Sequence, residues 1–351
     1  MTAEELKLRR LTNQHLIEKT DKLTAVRDLC GVQAQFMSNA IHSLKIRCHD
    51  FNEKTLANGL VKNWTVRGTV HVFAESDLAL FKHCHNGNNY RSENFSGYSR
   101  SDGSDRPWTL TPERQQYFSK LILKEIEKGA KTRDELKFLC RENGMTAMEE
   151  DSMFDGWGGG IRELCERGFM NYAVQEKKAY LPAPLFTPIP EEKANLEIAR
   201  RYFTHIAPAT IHDAMYFFHA TAAQVKAWLS ELPVSSFFCD GKTYYYIENG
   251  NAYENPIPDC IFLAGFDQLM LGYQKKESLY LKEEHLRKIF NLAGIVMPSV
   301  LLHGEIIGKW KKTGTKLGIT LFENISSQDK EIMEYHAKLL WGKEIRIVFE
   351  S

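Results

Sequence analysis

With 351 residues, the chain is long enough for a sizeable buried core and for two to four modules. Lys plus Arg (45) equals Asp plus Glu (45), so the formal net charge is zero. That excludes attachment to nucleic acid by bulk charge alone and requires any such face to be local. Apolar residues make up 43% and no apolar run approaches membrane-spanning length, so no membrane contact is expected. The charged start, Met1 to Arg10, lacks the apolar core of a signal peptide, and a cytoplasmic location is expected.

The seven cysteines are scattered and include no CxxC pair, which argues against a disulfide framework, a zinc knuckle or an iron–sulfur cluster. His83, Cys84 and His85 are adjacent, and adjacent helical residues face different ways. The second half of a zinc site is missing, so no metal and no cofactor are expected.

In chain order, helices are predicted near residues 3–17, 21–30, 38–48 and 55–61. "NWTVRGTVHVF" then supplies strands with Gly68 at the bend. Residues 91–108, rich in Ser, Asp, Gly and Arg, read as a connection. Thr111 with Pro112 starts a helix carrying Phe118, Leu121, Ile122 and Ile126 on one face. Thr132 and Glu135 form a capping-box pattern ahead of Leu136, Leu139 and Cys140. A third helix carries Ile161, Leu164 and Cys165 and stops at Gly168, and "FMNYAVQEKKAYLP" follows as two strands around a polar turn.

Three helices and a hairpin are the sequence pattern of a winged helix, and the pattern returns. Leu196, Ala199, Phe203 and Ile206 mark a helix ended by Pro208, and Thr210 to Asp213 begins another. Thr221 and Gln224 cap a third, and "SFFCDGKTYYYI" turns at Asp240-Gly241. From about Pro256 the pattern becomes β: a buried run "CIFLAGFD", a hairpin turning at His303-Gly304, a helix at 330–340 and a last strand at 344–349. The expected architecture is α+β and mainly α, with three tandem winged-helix units and a C-terminal β-rich module. The boundaries are 1–90, 109–190, 191–255 and 256–351, with 91–108 as the connection.

The polar residues that invite chemistry are few. In "DLCGVQAQFMSNA", Gly31 breaks the chain, and Gln33 and Gln35 alternate in what reads as an extended segment, so both amides face one side. Arg67 and His71, in the first hairpin, are candidates for phosphate contact or for a buried structural pair. Lys309, Trp310, Lys311 and Lys312, with Lys316 beyond, make a basic strip beside a hairpin. It could hold a nucleic-acid backbone or wedge into a groove, or simply be a solvated edge strand. Asp267, ending an apolar run, reads as a hydrogen-bonded turn residue.

Gln33-Ala34-Gln35 after a helix, followed by "WTVRGTVHVF" (Trp64–Phe73), resembles the AlkZ-type winged-helix DNA glycosylases. "RYFTHIAPAT" (Arg201–Thr210), "LAGFDQLMLGY" (Leu263–Tyr273) and "VLLHGEIIGKW" (Val300–Trp310) extend the resemblance, in the family's order, over nearly the whole chain. The resemblance implies a concave DNA-binding channel and a catalytic glutamine–apolar–glutamine signature at Gln33 and Gln35, in the two-glutamine branch. It implies excision of N-alkylated purines from double-stranded DNA, with interstrand crosslinks among the substrates of some members. A monomeric, nucleoid-associated enzyme without cofactor follows. The sequence departs from the pattern at Phe36-Met37, where Asp-Pro is frequent, at Ala207, where glycine is usual, and at Gln274, where arginine is common. The rival readings are a non-catalytic winged-helix DNA-binding regulator, indifferent to the two glutamines, and a protein-interaction scaffold.

Overall fold

The computed structural model describes residues 1–65, 67–82, 91, 107–156 and 158–350. Most of the expected connection, and the His83, Cys84 and His85 cluster, therefore lie outside the described residues. Two compact units form: Met1–Glu53 together with Ile198–Ser351, and Lys54–Glu197. The residues expected as a first module, 1–90, are shared between the two.

Side-chain caps set the helix starts. Thr2 and Glu5 form a capping box on Ala3–Asn13, and Asp21 caps Lys22–Asp28. The expected boxes at Thr132/Glu135 and Thr221/Gln224 form, and Thr210 pairs with Asp213 in the same way. Thr146 with Glu149 adds one on Ala147–Met153, a seven-residue helix too short to show an apolar stripe in sequence. Each such cap contributes about 1 kcal/mol. The first helix ends at Asn13 rather than near 17, because His15 turns the chain with φ 58°. Residues 55–61 do not form the expected helix: a short 3-10 turn at Glu53–Thr55 and Gly59 at φ 73° lead into the strand Leu60–Trp64. Four of its five residues are buried, Lys62 and Asn63 among them, so burial here follows no apolar periodicity that sequence could show.

In the unit Lys54–Glu197, the helices Pro112–Ile126, Arg133–Glu142 and Gly159–Glu166 enclose Phe118, Ile122, Leu136, Cys140, Ile161 and Leu164, all at most 1% exposed. Its strands run in the order Val70–Ala74, Leu60–Trp64, Met170–Tyr172, Ala179–Pro182, Lys131–Thr132.

The helix Glu191–Arg201, whose last four residues belong to the other unit, continues there as a π-turn, Tyr202–Ile206, and is followed by Ile211–Phe218, Ala222–Glu231 and the hairpin Ser235–Cys239/Lys242–Tyr246. Asp240 and Gly241 both take positive φ, as a tight two-residue hairpin turn requires. The β-rich part is a five-stranded sheet in the order Arg346–Glu350, Lys316–Leu321, Glu305–Thr313, Ser299–Leu302, Cys260–Leu263. Its last strand pairs parallel and the other pairings are antiparallel. The helix Ser327–Trp341 lays Met333 and Ala337 on Phe262, Val300, Leu317 and Ile319 of this sheet.

Candidate active site

The helix Lys22–Asp28 is stopped by two consecutive left-handed residues, Cys30 (φ 54°) and Gly31 (φ 86°), and the Gly31 N–H donates back to the Val26 carbonyl at 2.7 Å. The chain emerges extended through Val32–Gln33 and re-enters a helix at Met37. Val32 and Ala34 are buried. Gln33 keeps only 8% of its surface exposed, whereas Gln35 is open to solvent. Among the described residues neither side-chain amide has a hydrogen-bond partner.

The loop is anchored from behind by the helix Met37–Arg47. At its far end Arg47, with no exposed side-chain surface, grips Asp267 in a two-pronged ion pair, Nη1–Oδ2 2.8 Å and Nη2–Oδ1 2.7 Å. Arg47 Nε donates to the Gln14 carbonyl, and Asp267 also caps Gln268–Leu271 through the Leu269 N–H. This fork-to-fork geometry satisfies the donors and acceptors that a dry charge pair leaves at stake. At the near end, Gly265 passes so close that a Cβ there would stand 2.9 Å from Asn39 Nδ2. Phe266, at φ 56°, stacks on Phe36 with centroids 6.0 Å apart and planes 25° from parallel. The "LAGFDQLMLGY" block and the glutamine loop are thus one structural assembly. Asp267 is the hydrogen-bonded turn residue expected of it, while Arg47 had no local sequence signal to connect it with a residue 220 positions away.

Midway along the same helix, His42 Nε2 donates to the Phe262 carbonyl at 2.7 Å, and its ring packs 4.8 Å from Trp310 and 5.5 Å from Trp341. Burial holds its pKa down to about 4, so the ring is neutral at pH 7. Before the loop, Asp28 faces two imidazoles, His15 Nε2 at 2.8 Å and His205 Nε2 at 3.3 Å.

The basic strip divides. Trp310 is committed to structure: its indole N–H donates to the Leu263 carbonyl at 2.8 Å and its ring packs on His42 and Trp341. The ring is partly exposed, so a groove would meet only the part of it that these contacts leave open. The strand is also internal to the sheet, paired on both sides, and not an edge. Lys309 is half-buried, whereas Lys311, Lys312 and Lys316 are exposed at the hairpin end.

His71 requires a second correction. It has no exposed surface, its Nδ1 lies 3.0 Å from both the Thr65 hydroxyl and the Thr69 carbonyl, and its Nε2 accepts from Arg67 Nη1 at 3.3 Å. Burial, then the neighbouring guanidinium, press its pKa down to about 3. It cannot touch a phosphate itself. It orients the half-buried Arg67 instead.

Among the described residues, the one trio with metal-ligand spacing is Glu284, His285 and Glu323. The Lys282 ammonium already sits 2.7 Å from Glu323, where a cation would stand. Among the described residues six cysteines are buried and none is in a disulfide, and burial raises the Cys140, Cys165 and Cys260 thiols to about 12, so these three are not nucleophiles at neutral pH.

Recurring helices and hairpins, together with a short loop presenting two unspent amides, define a helix-and-hairpin protein with a candidate hydrolytic loop and no thiol nucleophile in it. The family model described as "DNA glycosylase AlkZ-like" matches residues 26–334, and the chain belongs to that family of enzymes that hydrolyse N-glycosidic bonds. It is 26% identical over 336 residues to an "Interstrand DNA cross-link repair glycosylase" from Streptomyces sahachiroi, covering 88% of this chain and 87% of that protein. The solved structure of Streptomyces sahachiroi DNA glycosylase AlkZ matches over 100% of both chains with a TM-score of 0.78 at 20% identity, a likeness of fold. Among the described residues, no helix is long and apolar enough to cross a membrane.

Proposed function

We propose that the protein removes cationic N7- or N3-alkylated purines from double-stranded DNA, including purines joined in interstrand crosslinks, and that Gln33 and Gln35 carry the reaction. The observation that supports this best is that the two amides stand on a rigidly backed loop with their hydrogen-bonding capacity unspent among the described residues. The relative from Streptomyces sahachiroi, named for interstrand crosslink repair, supports the crosslink substrate.

An N7- or N3-alkylated purine already carries positive charge, so it departs as a neutral base and needs no general acid. Water adds to the anomeric carbon while the glycosidic electron pair leaves with the purine. The Gln33 and Gln35 side-chain carbonyls accept hydrogen bonds from that water and set negative dipole density against the oxocarbenium-like sugar. Neither amide is a strong base, so the mechanism selects labile, cationic lesions. The remaining assignments belong to the same reading: three winged helices, phosphate contacts through Arg67, Lys309, Lys311 and Lys312, and a monomeric, nucleoid-associated enzyme in the cytoplasm. Incubation with duplexes holding one N7-methylguanine or one uracil tests it. Release of methylguanine without uracil is expected, and release of uracil at a comparable rate contradicts it.

A further inference from the structure

Phe36 breaks two local rules at once. It occupies the N-cap position of Met37–Arg47, where no side chain bonds the free N–H groups, although Thr, Asp or Ser caps Ala3–Asn13, Lys22–Asp28, Pro112–Ile126, Ile211–Phe218 and Ser327–Trp341. It is also a large aromatic side chain held 45% exposed. Both features oppose stability, and such local costs gather where function demands them. One face of the ring is pinned by Phe266, itself only 7% exposed and fixed by Gly265 against Asn39 and by Asp267 on Arg47. The ring is therefore prepositioned, with its free surface next in sequence to the exposed Gln35.

We infer that Phe36 is a substrate-contacting, specificity-determining residue whose free face stacks on the purine base of the damaged nucleotide. This rests on the assignment of Gln33 and Gln35 to the reaction. An electron-poor, cationic purine is a strong partner for a phenyl π-face, because cation–π attraction adds to ordinary stacking. One pinned ring offers the base a platform on one side. A platform of that kind accepts bulky or crosslinked N7 adducts that a two-sided slot rejects. Its selectivity comes from the flat cationic base rather than from the adduct.

The experiment compares full-length wild type, Phe36→Ala, Phe36→Leu and Phe36→Tyr on two duplexes. One carries a single N7-methylguanine stabilised by 2′-fluorination, and the other a tetrahydrofuran abasic analogue at the same position. Dissociation constants are read by fluorescence anisotropy, and base release is read on the unfluorinated methylguanine duplex. Phe36→Ala is expected to weaken binding to the methylguanine duplex by about 5- to 150-fold, the range for losing one aromatic–base stack, and to leave the abasic duplex unchanged. Phe36→Leu keeps an apolar cover on Phe266 but has no π-face, so it should behave like Phe36→Ala. Phe36→Tyr should retain wild-type binding. Equal weakening on both duplexes assigns the ring to a neighbouring base and overturns the inference. So does wild-type behaviour of Phe36→Leu, which makes Phe36 a mere cover for Phe266. If wild type binds but releases no base, the proposed function fails, while the binding comparison still decides the role of Phe36.

Discussion

The loop Gly31–Phe36 and the hairpin Leu60–Ala74 both carry polar residues of a kind that nucleic-acid enzymes use, and the fold treats them oppositely. In the hairpin, His71 is wholly buried and its two ring nitrogens are taken by Thr65, Thr69 and Arg67. In the loop, Gln35 is exposed and neither Gln33 nor Gln35 uses its amide within the described residues. His71 has found internal partners and has little left to offer a ligand, whereas Gln33, though only 8% exposed, has not spent its amide among the described residues. An unspent amide on a fixed backbone is available to water and substrate. Residue type alone does not separate the two cases; the destination of each hydrogen bond does.

The contrast depends on the loop being held as firmly as the hairpin, and the largest effect should come from its anchor. Arg47→Met leaves Asp267 charged and fully buried without its partner, and a loss of about 3–5 kcal/mol of folding stability is expected in urea denaturation. A loss under 1 kcal/mol would mean that the loop rests on something else.

The hairpin side is sharpened by pH. The His71 pKa is depressed in the folded state, to about 3, so the unfolded chain binds its proton more readily. Its contribution to stability is complete above about pH 6.5 and is lost as pH falls toward 3, by about 1.4 kcal/mol for each pH unit within that window. Wild-type stability should therefore fall more steeply between pH 6.5 and 4 than that of His71→Gln. Parallel slopes would show that His71 is not held neutral, and would reopen it as a phosphate ligand.

The smallest effect concerns the exposed lysines. If Lys311 and Lys312 each neutralise one phosphate, replacing both with Ala should flatten the plot of log binding constant against log salt by about 2, with base release at saturating DNA preserved. An unchanged slope removes them from the interface.

What was legible in the sequence was what local chemistry writes there. Capping boxes, the Asp240-Gly241 and His303-Gly304 turns and the helical stripes around Phe118, Leu136 and Leu164 all appear where expected. The glutamine loop was legible too, because Gly31 and the alternation around Ala34 are local signals. Three things were not. The start of the strand at Leu60 and Val61 reads in sequence as the end of a helix over 55–61, because so short a stretch fits both periods. His71 looked available because burial is a tertiary property, and the contacts of Trp310 with Leu263, His42 and Trp341 are tertiary too. The Arg47–Asp267 pair and the Phe36–Phe266 stack join residues more than 200 positions apart, and no spacing rule reaches that far.

The most direct test of the central claim is base release from a duplex bearing a single N7-methylguanine, comparing wild type with the double variant Gln33→Ala, Gln35→Ala. Release by wild type and a loss of at least about 100-fold in the variant is expected, on the scale seen when a transition-state hydrogen-bonding group is removed. Urea midpoints should stay close, since Gln35 is exposed and neither amide is tied into the fold among the described residues. A folded double variant that releases base at the wild-type rate would contradict the assignment of the reaction to this loop.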